Sequence, residues 1–235
     1  MNHGSRPHSL SGLPGEFGFI VAAEVTELWW KLIVRELQDA QEQLRSDKLC
    51  EATRALKRVV AHFEPLNATW RSIAWMTPKG LLAISSRVSA GHVEAHPLQG
   101  ESYRQLLFLL GIEQATAALA EPTLYDDVLA YFSRAGMSVP DDLLERDPRT
   151  PYVPSEDVEQ IWREIHEDPF PDTSLQQLGD MLVEIAEALA NWNCRQRMAT
   201  LHAPPGSAID ELPFPELWSA RGCTGALSAA RPPSS

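Results

Sequence analysis

Phe19-Ile20-Val21-Ala22-Ala23-Glu24-Val25-Thr26-Glu27-Leu28-Trp29-Trp30-Lys31 decides how the rest of the chain is read. Its apolar residues run on through Leu28, Trp29, Leu32, Ile33 and Leu37 with i, i+3, i+4 spacing, which predicts a helix over 19–44. The same spacing recurs over 49–70 through Leu49, Leu56, Val59, Phe63 and Leu66. It recurs in the more apolar 103–119, ended or bent by Gly111, and over 174–200, where Leu175, Leu178, Leu182, Ile185, Leu189 and Trp192 share one face. Shorter helices are predicted over 123–135 and 155–167, opened by the N-cap residues Thr123 and Ser155. No alternating strand run of useful length is present, so the expected fold class is all-α, a helical bundle.

Loops are expected where Pro, Gly and Asp cluster, over 89–100, 137–154 and 203–213. The expected organisation is a flexible N-terminus over 1–16, one all-α domain over 17–221 and a disordered tail over 222–235. With 235 residues, 44% of them hydrophobic, the chain is long and apolar enough to bury a substantial core. A net charge of −12 disfavours nucleic acid and anionic membrane surfaces as partners, since both repel an acidic protein. Cys50, Cys194 and Cys223 are far apart and odd in number, which fits a reducing cytoplasm. No apolar run reaches the roughly 18 residues of a membrane-spanning helix.

The opening stretch resembles the first active-site helix of the tryptophan 2,3-dioxygenase family, F-I-(V/I)-(T/S)-H-Q-x-Y-E-L-W-F-K. Further similarities follow in order. Met76-Thr77-Pro78 resembles (M/L)-T-P, and Tyr103 to Gly111 resembles Y-R-x-I-E-F-L-L-G. Trp162-Arg163-Glu164 with Glu167-Asp168-Pro169 is similar to W-R-E-x-x-E-D-P, and Phe214 to Trp218 with Arg221 to F-P-(D/E)-L-(W/F)-x-x-R. The resemblance implies a helical oligomer, a dimer or tetramer, that binds heme and an aromatic small molecule. The substrate-binding positions it implies are Phe19, Ala23, Trp30, Arg87, Tyr103 and Ser207.

Four departures bear on chemistry. The family's distal histidine falls on Ala23, whose methyl group neither donates nor accepts a hydrogen bond. Its axial histidine, in W-R-F-R-H, falls on Gln196 of Trp192-Asn193-Cys194-Arg195-Gln196, and an amide carbonyl replaces imidazole poorly on heme iron. The carboxylate-binding arginine falls on Ser85 by ungapped counting, or on Arg87 after a small shift through a segment longer than the family's. The glycine-rich substrate loop is reduced to Pro204-Pro205-Gly206-Ser207-Ala208, with Ser207 the hydroxyl.

His92 and His96 have the i, i+4 spacing of metal ligands, with Glu94 between them, and are the expected source of a replacement heme ligand. Flanking Gly91 and Pro97 oppose a helix there, so solvated loop histidines are the plain alternative. His202 and Cys194 stand off the face of Gln196, and His62 and His166 read as surface or satisfied residues. Phe19, Trp29 and Trp30 suit an indole-sized pocket, although aromatics at helical spacing also build cores. Two functions are therefore carried forward. One is an oxidoreductase of the aromatic-oxygenase type, acting on tryptophan, an indole or a related aromatic in bacterial specialised metabolism without ordinary ring cleavage. The other is a heme-free descendant that binds a ligand or partner, or runs another reaction, in the old pocket.

Overall fold

The computed structural model describes residues 15–73, 75–77, 80, 83–84, 100–112, 121–168, 173–200 and 213–220. Among these every regular element is a helix: α1 (Glu16–Arg45), α2 (Leu49–Arg71), α3 (Glu101–Leu109), α4 (Leu124–Arg134), α5 (Asp141–Leu144), α6 (Glu156–Glu167), α7 (Thr173–Thr200) and α8 (Pro215–Ala220). The predicted all-α class is what the chain adopts. Of the termini expected to be flexible or disordered, only Gly15 and Glu16 fall among the described residues, and α1 begins there. No described helix is long and apolar enough to cross a membrane.

α1 is about 45 Å long at 1.5 Å per residue. It buries Phe19, Ala22, Thr26, Trp30, Ile33, Val34, Leu37, Ala40, Gln41 and Leu44, a continuous i, i+3, i+4 stripe. Leu28 and Leu32, read from the sequence as part of that stripe, are instead 63% and 38% exposed. The helix carries two apolar faces, and only one is buried among the described residues. At its end Asp47 takes a left-handed φ of 56°, with the Lys48 N–H donating to the Gln43 carbonyl at 2.9 Å. That turn folds α2 back on α1, and α7 closes over α2.

The 103–119 segment is helical only to Leu109 among its described residues. Gly111, at φ 73°, ends it by the same device: the Ile112 N–H reaches the Leu107 carbonyl and the Gly111 N–H reaches that of Phe108, both at 2.9 Å. Tyr103 and Leu106 to Leu110 are buried. α4 opens on a capping box in which Thr123 Oγ1 accepts from the Asp126 N–H and Asp126 Oδ2 accepts from the Thr123 N–H. Ser155, the other expected N-cap, makes no side-chain cap; its backbone N–H donates to Glu216 at 3.1 Å. The predicted 137–154 loop contains the single-turn α5.

Most buried apolar residues form one core spanning α1 to α8, while Phe19, Ala22, Ile73 and Ile84 form a separate small cluster.

Candidate aromatic site between α1, α3 and α7

The residues singled out from the sequence divide into two groups along α1. Near its start, Phe19 and Ala22 are buried against Ile73 and Ile84, and half-buried Ala23 and Met76 pack at the edge of that cluster. About two turns further on, Trp30 enters the main core, where it meets one aromatic ring from each of three other helices. Its ring centroid lies 4.8 Å from Trp192 of α7, 5.2 Å from Tyr103 of α3 and 5.9 Å from Phe63 of α2. Tyr103 and Trp192 stand 5.2 Å apart, so three rings contact one another pairwise in tilted and edge-on geometries that favour the ring quadrupoles. Phe19 and Trp30 have no exposed surface and Tyr103 has 3%.

Two polar contacts fix this cluster. Glu27, one turn before Trp30, accepts from Ser102 Oγ at 2.6 Å and from the Ser102 N–H at 3.4 Å. The carboxylate thereby caps the otherwise unpaired first turn of α3 from a neighbouring helix. Gly100 leaves room for it, since a Cβ there would lie 2.5 Å from Glu27 Oε2. Tyr103 Oη then donates to Asn193 Oδ1 at 2.8 Å, tying α3 to α7. The other half of that amide, Asn193 Nδ2, is buried without a hydrogen-bond partner among the described residues. Gln196 follows one turn along α7 and is 6% exposed.

Sequence reasoning passed over Asn193 as a departure from a motif. Its signal was position, since it precedes Gln196 by one helical turn and so shares its face. Arg87, Ser207, His92 and His96, together with Ser85, Glu94 and His202, lie outside the described residues. The described histidines sit elsewhere: the His62 ring packs 5.9 Å from Trp29, with Nε2 3.9 Å from Glu36, and the His166 ring packs 6.5 Å from Trp162. Among the described residues no three His, Cys, Asp or Glu side chains gather as metal ligands.

A second polar centre joins the C-terminal motifs. Glu216 of α8, 2% exposed, accepts from Tyr152 Oη at 2.5 Å, Tyr125 Oη at 3.2 Å and the Ser155 N–H. Tyr125 Oη in turn accepts from Trp162 Nε1 at 2.9 Å. Burial pushes the Glu216 carboxyl above its ordinary range against the pull of these donors. Burial, followed by the adjacent Glu216, raises both tyrosines. Arg146 lies 5.6 Å over the Tyr152 ring and pairs with Asp126 at 2.8 Å, which closes the network on the α4 cap.

The tryptophan 2,3-dioxygenase family model matches residues 6–142, a stretch that holds Phe19, Ala23, Trp30 and Tyr103. The chain is 30% identical to the tryptophan 2,3-dioxygenase of Ralstonia pickettii (strain 12J), over 91% of this chain and 86% of that one. It is 30% identical to the enzyme of Burkholderia multivorans, over 91% and 77% of the two chains, and 29% identical to that of Cupriavidus necator, over 92% and 83%. The aromatic helix α1, its partner α3 and their order along the chain are those of a member of the tryptophan 2,3-dioxygenase family.

Proposed function

We infer that this chain acts on tryptophan, an indole or a related aromatic in the pocket inherited with its family, as an oxidoreductase of bacterial specialised metabolism. In this reading it does not carry out ordinary tryptophan ring cleavage with a heme held through Gln196. One observation carries it. Phe19, Trp30 and Tyr103 stand at the places the family motifs give them and are buried on α1 and α3, while the two positions that carry histidine in those motifs hold a methyl group and an amide.

Donor chemistry supports the same distinction. Ala23 offers no lone pair, and the Gln196 carbonyl is a hard, weak ligand for heme iron. His62 and His166 are engaged against Trp29 and Trp162. The described residues therefore do not fit a heme held in the family's manner, and His92 or His96 is the first candidate for the ligand of a bound heme. The remaining roles follow the family motif: Arg87 for a substrate carboxylate and Ser207 for the hydroxyl of the loop that closes over the substrate. An aromatic substrate matches the apolar Phe19 cluster, a homo-oligomer matches the family, and a cytoplasmic location matches the cysteine usage.

The buried, unpartnered Asn193 Nδ2 favours a second reading, in which the heme-free pocket binds an aromatic ligand that carries a hydrogen-bond acceptor. Three measurements separate the readings: absorbance after hemin addition, calorimetric titration with tryptophan and indole, and assay for N-formylkynurenine. The expected results are aromatic binding, no N-formylkynurenine, and a Soret band that His92→Ala/His96→Ala abolishes. Absence of a Soret band in wild type selects the heme-free reading. N-formylkynurenine from wild type, or a stoichiometric heme complex in the double alanine variant, overturns the proposal. Ala23→His with Gln196→His is expected to restore a stable Soret band.

A further inference from the structure

The apolar face of α1 that stays exposed among the described residues has the pattern of a helix pairing with itself. Val21, Val25, Leu28 and Leu32 repeat at steps of four, three and four residues, the spacing of a seam between two helices. Val21, Leu28 and Leu32 are 41%, 63% and 38% exposed, Val25 is half-buried, and Phe17 extends the stripe by a further turn at 66%. Isolated exposed apolar residues are ordinary, but a continuous stripe along four turns marks an interface. By contrast, the apolar residues of α3 are spent inside the chain's own core.

We propose that α1 packs antiparallel against α1 of a second copy of this chain across Val21, Val25, Leu28 and Leu32. Charge complementarity selects both the partner and the direction. Glu24 and Lys31 are exposed, flank the same edge of the stripe one heptad apart, and take part in no ion pair among the described residues. A two-fold axis perpendicular to the helices brings that edge of one copy against the same edge of the other, running in reverse. Centred near residue 27, this places Glu24 of each copy opposite Lys31 of the other, giving two reciprocal ion pairs. Val21 then faces Leu32, and Val25 faces Leu28. A parallel pairing would instead set that edge against the opposite one, where Glu24 meets Trp29 and Lys31 meets a Glu36 already held by Arg58 at 2.7 Å. Antiparallel packing also opposes the two helix dipoles favourably.

The inference rests on the oligomer reading given above and names its surface. Light scattering of the full chain tests it with four proteins whose helicity is checked by circular dichroism. Wild type is expected at twice the 26.1 kDa chain mass or a higher even multiple. Leu28→Glu, at an exposed position, is expected to halve that mass. Glu24→Lys is expected to weaken self-association at least tenfold, and Glu24→Lys/Lys31→Glu to restore it. An oligomer that Leu28→Glu leaves intact, or a double variant no better than Glu24→Lys alone, overturns the α1 seam and spares the oligomer reading. A monomeric wild type at tens of micromolar overturns both and points to cover of the stripe from within the chain.

Discussion

Two buried polar centres, one around Glu216 and one around Asn193, are built from similar parts and finished differently. Each combines a tryptophan, a tyrosine hydroxyl and an acceptor from a distant helix. At Glu216 the donors of Tyr152, Tyr125, Ser155 and Trp162 all end on an acceptor. At Asn193 one amide donor is buried beside Tyr103, one turn from Gln196, with no partner among the described residues. A closed network holds a fold together. An open one stores a donor that a ligand can use, and it lies at the place where the family motif changes.

The widest separation between the two centres should come from removing their acceptors. Glu216→Ala orphans the buried Tyr125 hydroxyl and two half-buried donors, on Tyr152 and Ser155, so a loss of about 3 kcal/mol is expected in urea unfolding. Asn193→Ala removes a single partner, with an expected cost near 1 kcal/mol and a larger effect on calorimetric binding of aromatics. Equal costs would erase the distinction.

The tyrosines sharpen it. Tyr125→Phe should cost about 2 kcal/mol, because Trp162 Nε1 loses its acceptor and Glu216 a donor, whereas Tyr103→Phe should cost about 1 kcal/mol. Both are read by thermal or urea unfolding.

The smallest expected effect is in pH dependence. The folded Glu216 carboxyl lies above its ordinary value because of burial, so its protonated form is the one favoured by folding. Its contribution is present in full below the unfolded pKa near 4.3 and is lost as pH rises through the higher folded value. Glu216→Gln imitates the protonated group, so its stability relative to wild type should improve between pH 4 and 7. Asp127, also raised by burial, is common to both proteins and cancels. A difference that shrinks with pH would contradict the sign of the shift.

The helices themselves were legible because their apolar periods are long. α7 follows the face drawn from Leu178, Leu182, Ile185, Leu189 and Trp192, all buried, and Gly111 ends α3 where a left-handed residue was needed. Spacing could not say which of two apolar faces of α1 the core would take, which is why Leu28 and Leu32 were placed inside. The aromatic partners Trp30 and Tyr103 were named from a motif. The roles of Glu27, Asn193 and Glu216 depend on contacts across 61 to 91 positions, and no local pattern encodes those. Ser155 illustrates the same limit, since a good local cap was displaced by a carboxylate from α8.

The clasp between Glu27 and the first turn of α3 has an evolutionary consequence. Because α1 sets where α3 begins, through Ser102 and the clearance at Gly100, the aromatic cluster is insulated from the length of the segment before it. Residues gained or lost ahead of Gly100 are expected to leave Tyr103 on Trp30. A chain carrying this clasp is expected to tolerate change in that segment, histidines included, while the scaffold behind it stays put.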